Sequence, residues 1–139
     1  MTPSKAPLPF LGTWRLTKVE TSRPDLPHPQ SGVTTFTQEN DIIQYTNDGV
    51  WTDGRRTKVT AVLQLDGSLC PITNSMVADA LTLRVLDDGT LEVKMKRGGV
   101  DVGTNQTSVS PDGRTMTGQW DLVGPGGTKI TWNTTQERQ

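Results

Sequence analysis

Through most of the chain apolar and polar residues alternate with a period of two, the spacing of a β-strand that buries one face and wets the other. The alternation is cleanest at Leu91, Val93 and Met95 against Glu92, Lys94 and Lys96. Val59, Ala61, Leu63 and Leu65 share one face, Met116, Gly118, Trp120 and Leu122 another, and Ile130 and Trp132 a third. In the opening strand Trp14 and Leu16 oppose Thr13, Arg15 and Thr17, while Val19 falls out of phase. The pattern predicts nine strands, at 12–20, 33–38, 42–46, 58–65, 81–86, 91–96, 100–108, 115–122 and 128–134, with a tenth offered by the short piece around Pro71-Ile72-Thr73. No stretch has the period of a long amphipathic helix, and 75–80 has room for at most one or two helical turns.

Between these strands recur Asp48-Gly49, Asp53-Gly54, Asp66-Gly67, Asp88-Gly89, Gly98-Gly99, Asp112-Gly113 and Gly126-Gly127. Such dipeptides supply the positive φ angles of tight hairpins, so successive strands pair antiparallel in a meander. A sheet of this size with one apolar face and no helix to cover it must curl onto itself. The expected fold is therefore all-β, an antiparallel up-and-down barrel of nine or ten strands, with Gly12 and Trp14 as the plug of one end. Residues 1–9, with three prolines, read as a flexible arm ahead of a single domain at 10–139. The longest connection, 21–31, carries Pro24, Pro27 and Pro29 with the only histidine, His28. A stiffened loop of that length is either a lid or a surface excursion.

Composition narrows the chemistry. Lys and Arg number 14 against 15 Asp and Glu, so no global field attracts nucleic acid or an anionic membrane. No apolar run is long enough for a spanning helix, and the first nine residues lack an apolar signal core, which leads to the expectation of a cytoplasmic protein. One cysteine and one histidine cannot build a structural zinc site, and no cofactor motif is present. Cys70, ahead of Pro71, reads as a small buried hydrophobe.

Three segments carry a resemblance: Leu11-Gly12-Thr13-Trp14-Arg15-Leu16; residues 96–104, from Lys96-Arg97-Gly98-Gly99 to Thr104; and residues 108–117, around Ser110-Pro111-Asp112-Gly113. From Leu11 onward the chain resembles the small bacterial lipocalin-like proteins of the calycin superfamily, whose first strand opens Gly-x-Trp. The resemblance implies a barrel around a cavity for a small hydrophobic or amphipathic molecule; the expected assembly is a monomer or homodimer. It also implies that Arg138 packs over Trp14.

Candidate cavity residues follow from the faces. Trp120 and Trp132 either pack in the core or line a cavity; Trp51, between two turns, stands at the entrance with His28 or closes the core; Tyr45 shares a face with Ile43 and could offer a hydroxyl inward. Phe36 lies with Thr34 and Gln38, and Gln106 with Val100, Val102, Thr104 and Ser108, two mixed faces suited to a semi-polar pocket. Met95 completes the expected lining. The primary reading is binding of a small, largely apolar ligand. The alternative is a small barrel enzyme of isomerase, cyclase or lyase type, for which His28 is the candidate proton carrier.

Overall fold

A computed structural model of the chain describes residues 8–86 and 89–139. Ten strands follow one another: β1 (Gly12–Thr21), β2 (Pro29–Glu39), β3 (Ile42–Trp51), β4 (Arg56–Gln64), β5 (Cys70–Thr73), β6 (Ala80–Val85), β7 (Leu91–Arg97), β8 (Val100–Val109), β9 (Thr115–Val123) and β10 (Lys129–Arg138). Each pairs antiparallel with its neighbour in sequence, and β1 closes against β10. The result is the closed up-and-down barrel that the alternation requires, with the piece at Pro71 as its tenth strand. Among the described residues the only helical turn is Pro125–Gly127, between β9 and β10.

Several boundaries move. β1 runs through Thr21 and β2 begins at Pro29, so the long connection shortens to 22–28. Asp48-Gly49 is not a turn but lies within β3, and the reversal falls at Asp53-Gly54. Of the expected arm, residues 1–7 lie outside the described residues, as does Asp88 of the Asp88-Gly89 turn. Leu8 already packs against the core, and the Pro9 carbonyl is bonded to Arg138.

Three bulges adjust the alternation. One between Leu16 and Lys18 accounts for the phase break at Val19, and a second lies between Pro29 and Ser31. The third has the larger effect: Met95 pairs with Gly103 and Lys96 with Asp101, so Val102 has no partner and the inward set of β8 shifts by one residue. Gly103 and Asn105 therefore point in, Gln106 is exposed, and Val100 is 65% exposed.

The floor is built around Trp14, which is fully buried and donates its indole N–H to the Phe10 carbonyl at 2.8 Å. Arg138, the last residue of β10, lies with its guanidinium carbon 4.2 Å from the Trp14 ring centroid. Its three nitrogens donate to the carbonyls of Gly113 at 2.7 Å, Leu11 at 2.6 Å and Pro9 at 2.8 Å. The expected stacking of Arg138 on Trp14 is thus present. Gly12 makes it possible: its φ is +121°, and a Cβ there would lie 2.5 Å from an Arg138 guanidinium nitrogen.

This geometry predicts a coupled pair of substitutions. Arg138→Ala removes a cation–π contact and three charge-assisted hydrogen bonds at an exposed site, and is expected to cost roughly 1–3 kcal/mol. Gly12→Ala both strains the backbone and displaces the guanidinium, and is expected to cost at least as much. In urea unfolding followed by tryptophan emission, the double variant should lose less than the sum of the single losses, by about 0.5 kcal/mol or more. Additive losses would mean that the two residues act independently.

Candidate ligand-binding cavity

The barrel encloses a cavity of about 180 Å³. It extends from Phe36, Tyr45 and Leu63 on the floor side to Pro29, Trp51 and the β5–β6 connection at the other end, where Ser75, Met76 and Val77 form part of the lining. Leu81, Leu83, Leu91, Val93 and Met95 supply the aliphatic wall from β6 and β7, all of them buried. Opposite them stands an aromatic cluster in which Trp132 meets Trp51 edge-on at 5.5 Å and Trp120 at 6.0 Å. Phe36 and Tyr45, paired across β2 and β3, lie 5.2 Å apart, and Phe36 meets Phe10 edge-on at the same distance.

The lining contains no Asp, Glu, Lys, Arg, His or Cys among the described residues; its polar members are neutral. Several of these are paired with one another. The Asn47 amide donates to the Thr34 hydroxyl at 2.8 Å, Thr107 donates to the Asn105 side-chain oxygen at 2.7 Å, and the Trp120 indole N–H reaches the Thr134 hydroxyl at 3.3 Å. The Tyr45 hydroxyl has no hydrogen-bond partner in the protein among the described residues, although the residue lines the cavity. Burial pushes its pKa up to about 12.

Phe36, Tyr45, Trp51, Met95, Trp120 and Trp132 all line this one space. Trp51 is the last residue of β3 rather than a loop tip, and its ring faces inward because Gly49 and Asn47 precede it on the inner side. Gln106 is a correction: the bulge at Val102 turns it outward and puts Asn105 and Thr107 in its place. The mid-strand glycine, Gly103, was the available signal, since glycine inside a strand marks a bulge or a close backbone approach. A Cβ there would lie 2.6 Å from the Asp121 carbonyl oxygen. His28 stands at the rim, the place expected for it. Its backbone pairs with Thr52 beside the Trp51 turn, but its ring Nδ1 lies 2.9 Å from the Leu26 carbonyl oxygen, and the residue does not line the cavity. Thr34 lines the cavity beside Phe36, on the mixed face that the sequence offers, whereas Asn47 and Thr134 were missed as polar liners because threonine and asparagine at inward positions carry no periodic signal of their own.

No group of three or more His, Cys, Asp and Glu residues that could hold a metal ion occurs among the described residues, and no helix there is long and apolar enough to cross a membrane. Cys70 is buried on β5, where its sulfur accepts from the Gln64 amide at 3.4 Å.

The fold defines the class: a closed ten-stranded antiparallel barrel of the lipocalin/calycin type. Among solved structures, the chain is similar to a Mycobacterium tuberculosis protein, Rv2717c, at 16% identity with a TM-score of 0.59, over 98% of this chain and 99% of that one. It is similar to the zebrafish ileal bile acid-binding protein, solved with cholic acid, at 15% identity and a TM-score of 0.58, over 93% and 98% of the two chains. The S-type phycobiliprotein lyase CPES of Guillardia theta matches at 11% identity and a TM-score of 0.58, over 94% and 89%. No protein-family model and no curated protein sequence matches the chain.

Tyr45 is the only tyrosine, so its ionisation can be read without interference. The absorbance change of the phenolate should have its midpoint near pH 12 rather than near the ordinary value of 10. The unfolded chain loses this proton first, so the burial of Tyr45 leaves stability unchanged below about pH 10 and lowers it as pH rises from 10 toward 12. A midpoint near 10 with the barrel intact would mean that the hydroxyl is solvated.

Proposed function

We propose that this barrel binds one small, largely apolar molecule in its interior. The observation that carries the reading is the cavity of about 180 Å³ bounded by aliphatic side chains on one side and by Trp51, Trp120 and Trp132 on the other. An apolar cavity of roughly 150 Å³ accommodates a benzene ring, so the space suits a compact molecule of one ring or an equivalent branched chain. A body of that kind gains the transfer free energy of its apolar surface and meets aromatic faces at contact distance. Two of the similar structures are a bile acid-binding protein solved with cholic acid and a bovine odorant-binding protein, the latter at a TM-score of 0.50 and 13% identity. Their occupants support a ligand-holding role for a barrel of this type. His28, held at the rim outside the lining, gives the enzyme reading no proton carrier inside the cavity.

Ethylbenzene is a suitable first probe. At ten times its dissociation constant it should stabilise the protein by about 1.4 kcal/mol, seen as a rise of several degrees in the thermal midpoint. Val93→Phe, which fills the cavity from β7, should abolish that response while leaving the β-sheet circular dichroism unchanged. Native mass spectrometry of freshly purified protein should show a small adduct whose extraction shifts tryptophan emission. No stabilisation by ethylbenzene together with a bare mass and an unchanged emission would refute the proposal.

A further inference from the structure

One part of the cavity wall is polar in a way that the rest is not. Asn105 of β8 is 3% exposed and Thr134 of β10 is 8% exposed, and with Thr107 they converge over Gly118 of β9. Thr107 and Thr134 flank Gly118 in the ladder, on β8 and β10. A Cβ on Gly118 would lie 2.9 Å from the Thr134 hydroxyl and 3.3 Å from both the Asn105 amide nitrogen and the Thr107 hydroxyl. The missing side chain is what allows three polar groups to meet there.

The protons of this cluster can be followed one by one. Thr107 spends its hydroxyl proton on the Asn105 oxygen, and Thr134 donates to the Gly118 carbonyl at 3.4 Å while it accepts from the Trp120 indole. One Asn105 N–H goes to the Gln119 carbonyl at 3.4 Å. The second N–H of that amide is the donor left over. All three side chains line the cavity, so a bound molecule can meet it.

We infer that this cluster is a polar subsite that selects an uncharged ligand bearing a carbonyl-type acceptor, with its apolar body against the tryptophan cluster. The inference rests on the cavity-binding reading above and narrows its ligand class. A carboxylate entering the same space would be stripped of water with no cation among the described lining residues to receive it. A neutral ketone, ester or amide loses far less hydration and recovers it through the Asn105 N–H.

Three probes of matched size separate the possibilities: acetophenone, ethylbenzene and benzoate. Calorimetric titration near neutral pH should rank acetophenone about five- to tenfold tighter than ethylbenzene, with benzoate the weakest. Asn105→Leu should bring acetophenone down to the affinity of ethylbenzene while ethylbenzene changes by no more than about twofold. Thr107→Val, which keeps side-chain volume and releases the Asn105 oxygen that orients the amide, serves if the first variant fails to fold, and should lower the acetophenone-to-ethylbenzene affinity ratio. In the unmodified protein, the Asn105 side-chain amide resonances should move with acetophenone and not with ethylbenzene.

Equal affinities for acetophenone and ethylbenzene, or benzoate binding as tight as acetophenone, would overturn the inference and leave the cavity reading intact. So would a loss of the acetophenone preference in Tyr45→Phe but not in Asn105→Leu, since the acceptor would then sit at the floor. Failure of both neutral probes to bind would instead remove the cavity reading itself.

Discussion

A barrel made by a single meander is only as closed as the seam between its first and last strands, and here that seam ends in one side chain. β1 and β10 pair from Trp14–Arg138 to Thr21–Trp132, and at the floor the Arg138 guanidinium binds the carbonyls of Pro9, Leu11 and Gly113 while covering the Trp14 ring. Those carbonyls belong to the segment entering β1 and to the β8–β9 turn, neither of which a sheet ladder satisfies. Without the arginine they would face water or go unpaired beside the most buried indole in the protein. The closed floor is what makes the interior a blind cavity rather than a channel.

The wall is less even than the closure suggests. β5 contributes four residues and pairs at two positions with β4 and two with β6, whereas β2 and β3 share a ladder of ten partners. The β5–β6 connection compensates by packing: Ser75 accepts from the Val77 and Ala78 amides, Ala78 is buried, and Met76 and Val77 line the cavity. Local stability follows ladder bonds and buried contacts, so this side of the barrel is where opening costs least. Trp120, Trp132, Asn105, Thr107 and Thr134 lie on the other side, on β8, β9 and β10, where the β8–β9 and β9–β10 ladders are long and unbroken. The proposed polar subsite therefore sits on the more extensively paired half of the wall.

How much of this could be read from the chain depended on which rule each residue obeyed. Period-two alternation was enough for β4, β7, β9 and β10, because the register of a half-buried strand is enforced along its whole length. Hence Met95, Trp120 and Trp132 were legible as inward residues, and Tyr45 followed from Ile43. β8 broke the rule at one point. A bulge costs the pattern a single residue and then inverts everything after it, which exchanged Gln106 for Asn105 and hid the most polar part of the lining. For His28 a loop has no face, so its sequence position put it beside the mouth, where its backbone meets Thr52, but said nothing about where its ring turns. The Arg138 stack was legible by resemblance alone, since no periodicity links a C-terminal residue to the first strand.

Two glycines connect the fold to the site by the same physical device. At Gly12 the absent side chain admits the guanidinium that seals the floor; at Gly118 it admits the amide and hydroxyls that make one patch of an apolar cavity polar. In both cases a methyl group would press on the groups admitted, at 2.5 Å from the guanidinium and 2.9 Å from the Thr134 hydroxyl, and a packed interior gives way only by displacing them. At the floor the guanidinium makes three hydrogen bonds to carbonyls, and in the cavity wall the Asn105, Thr107 and Thr134 side chains each make at least one, leaving a single amide N–H over. A cavity organised this way is not a generic oil drop. It presents dispersion contacts over most of its surface and a spare uncharged donor at Asn105, and in the proposed binding mode affinity comes mainly from the first and discrimination from the second.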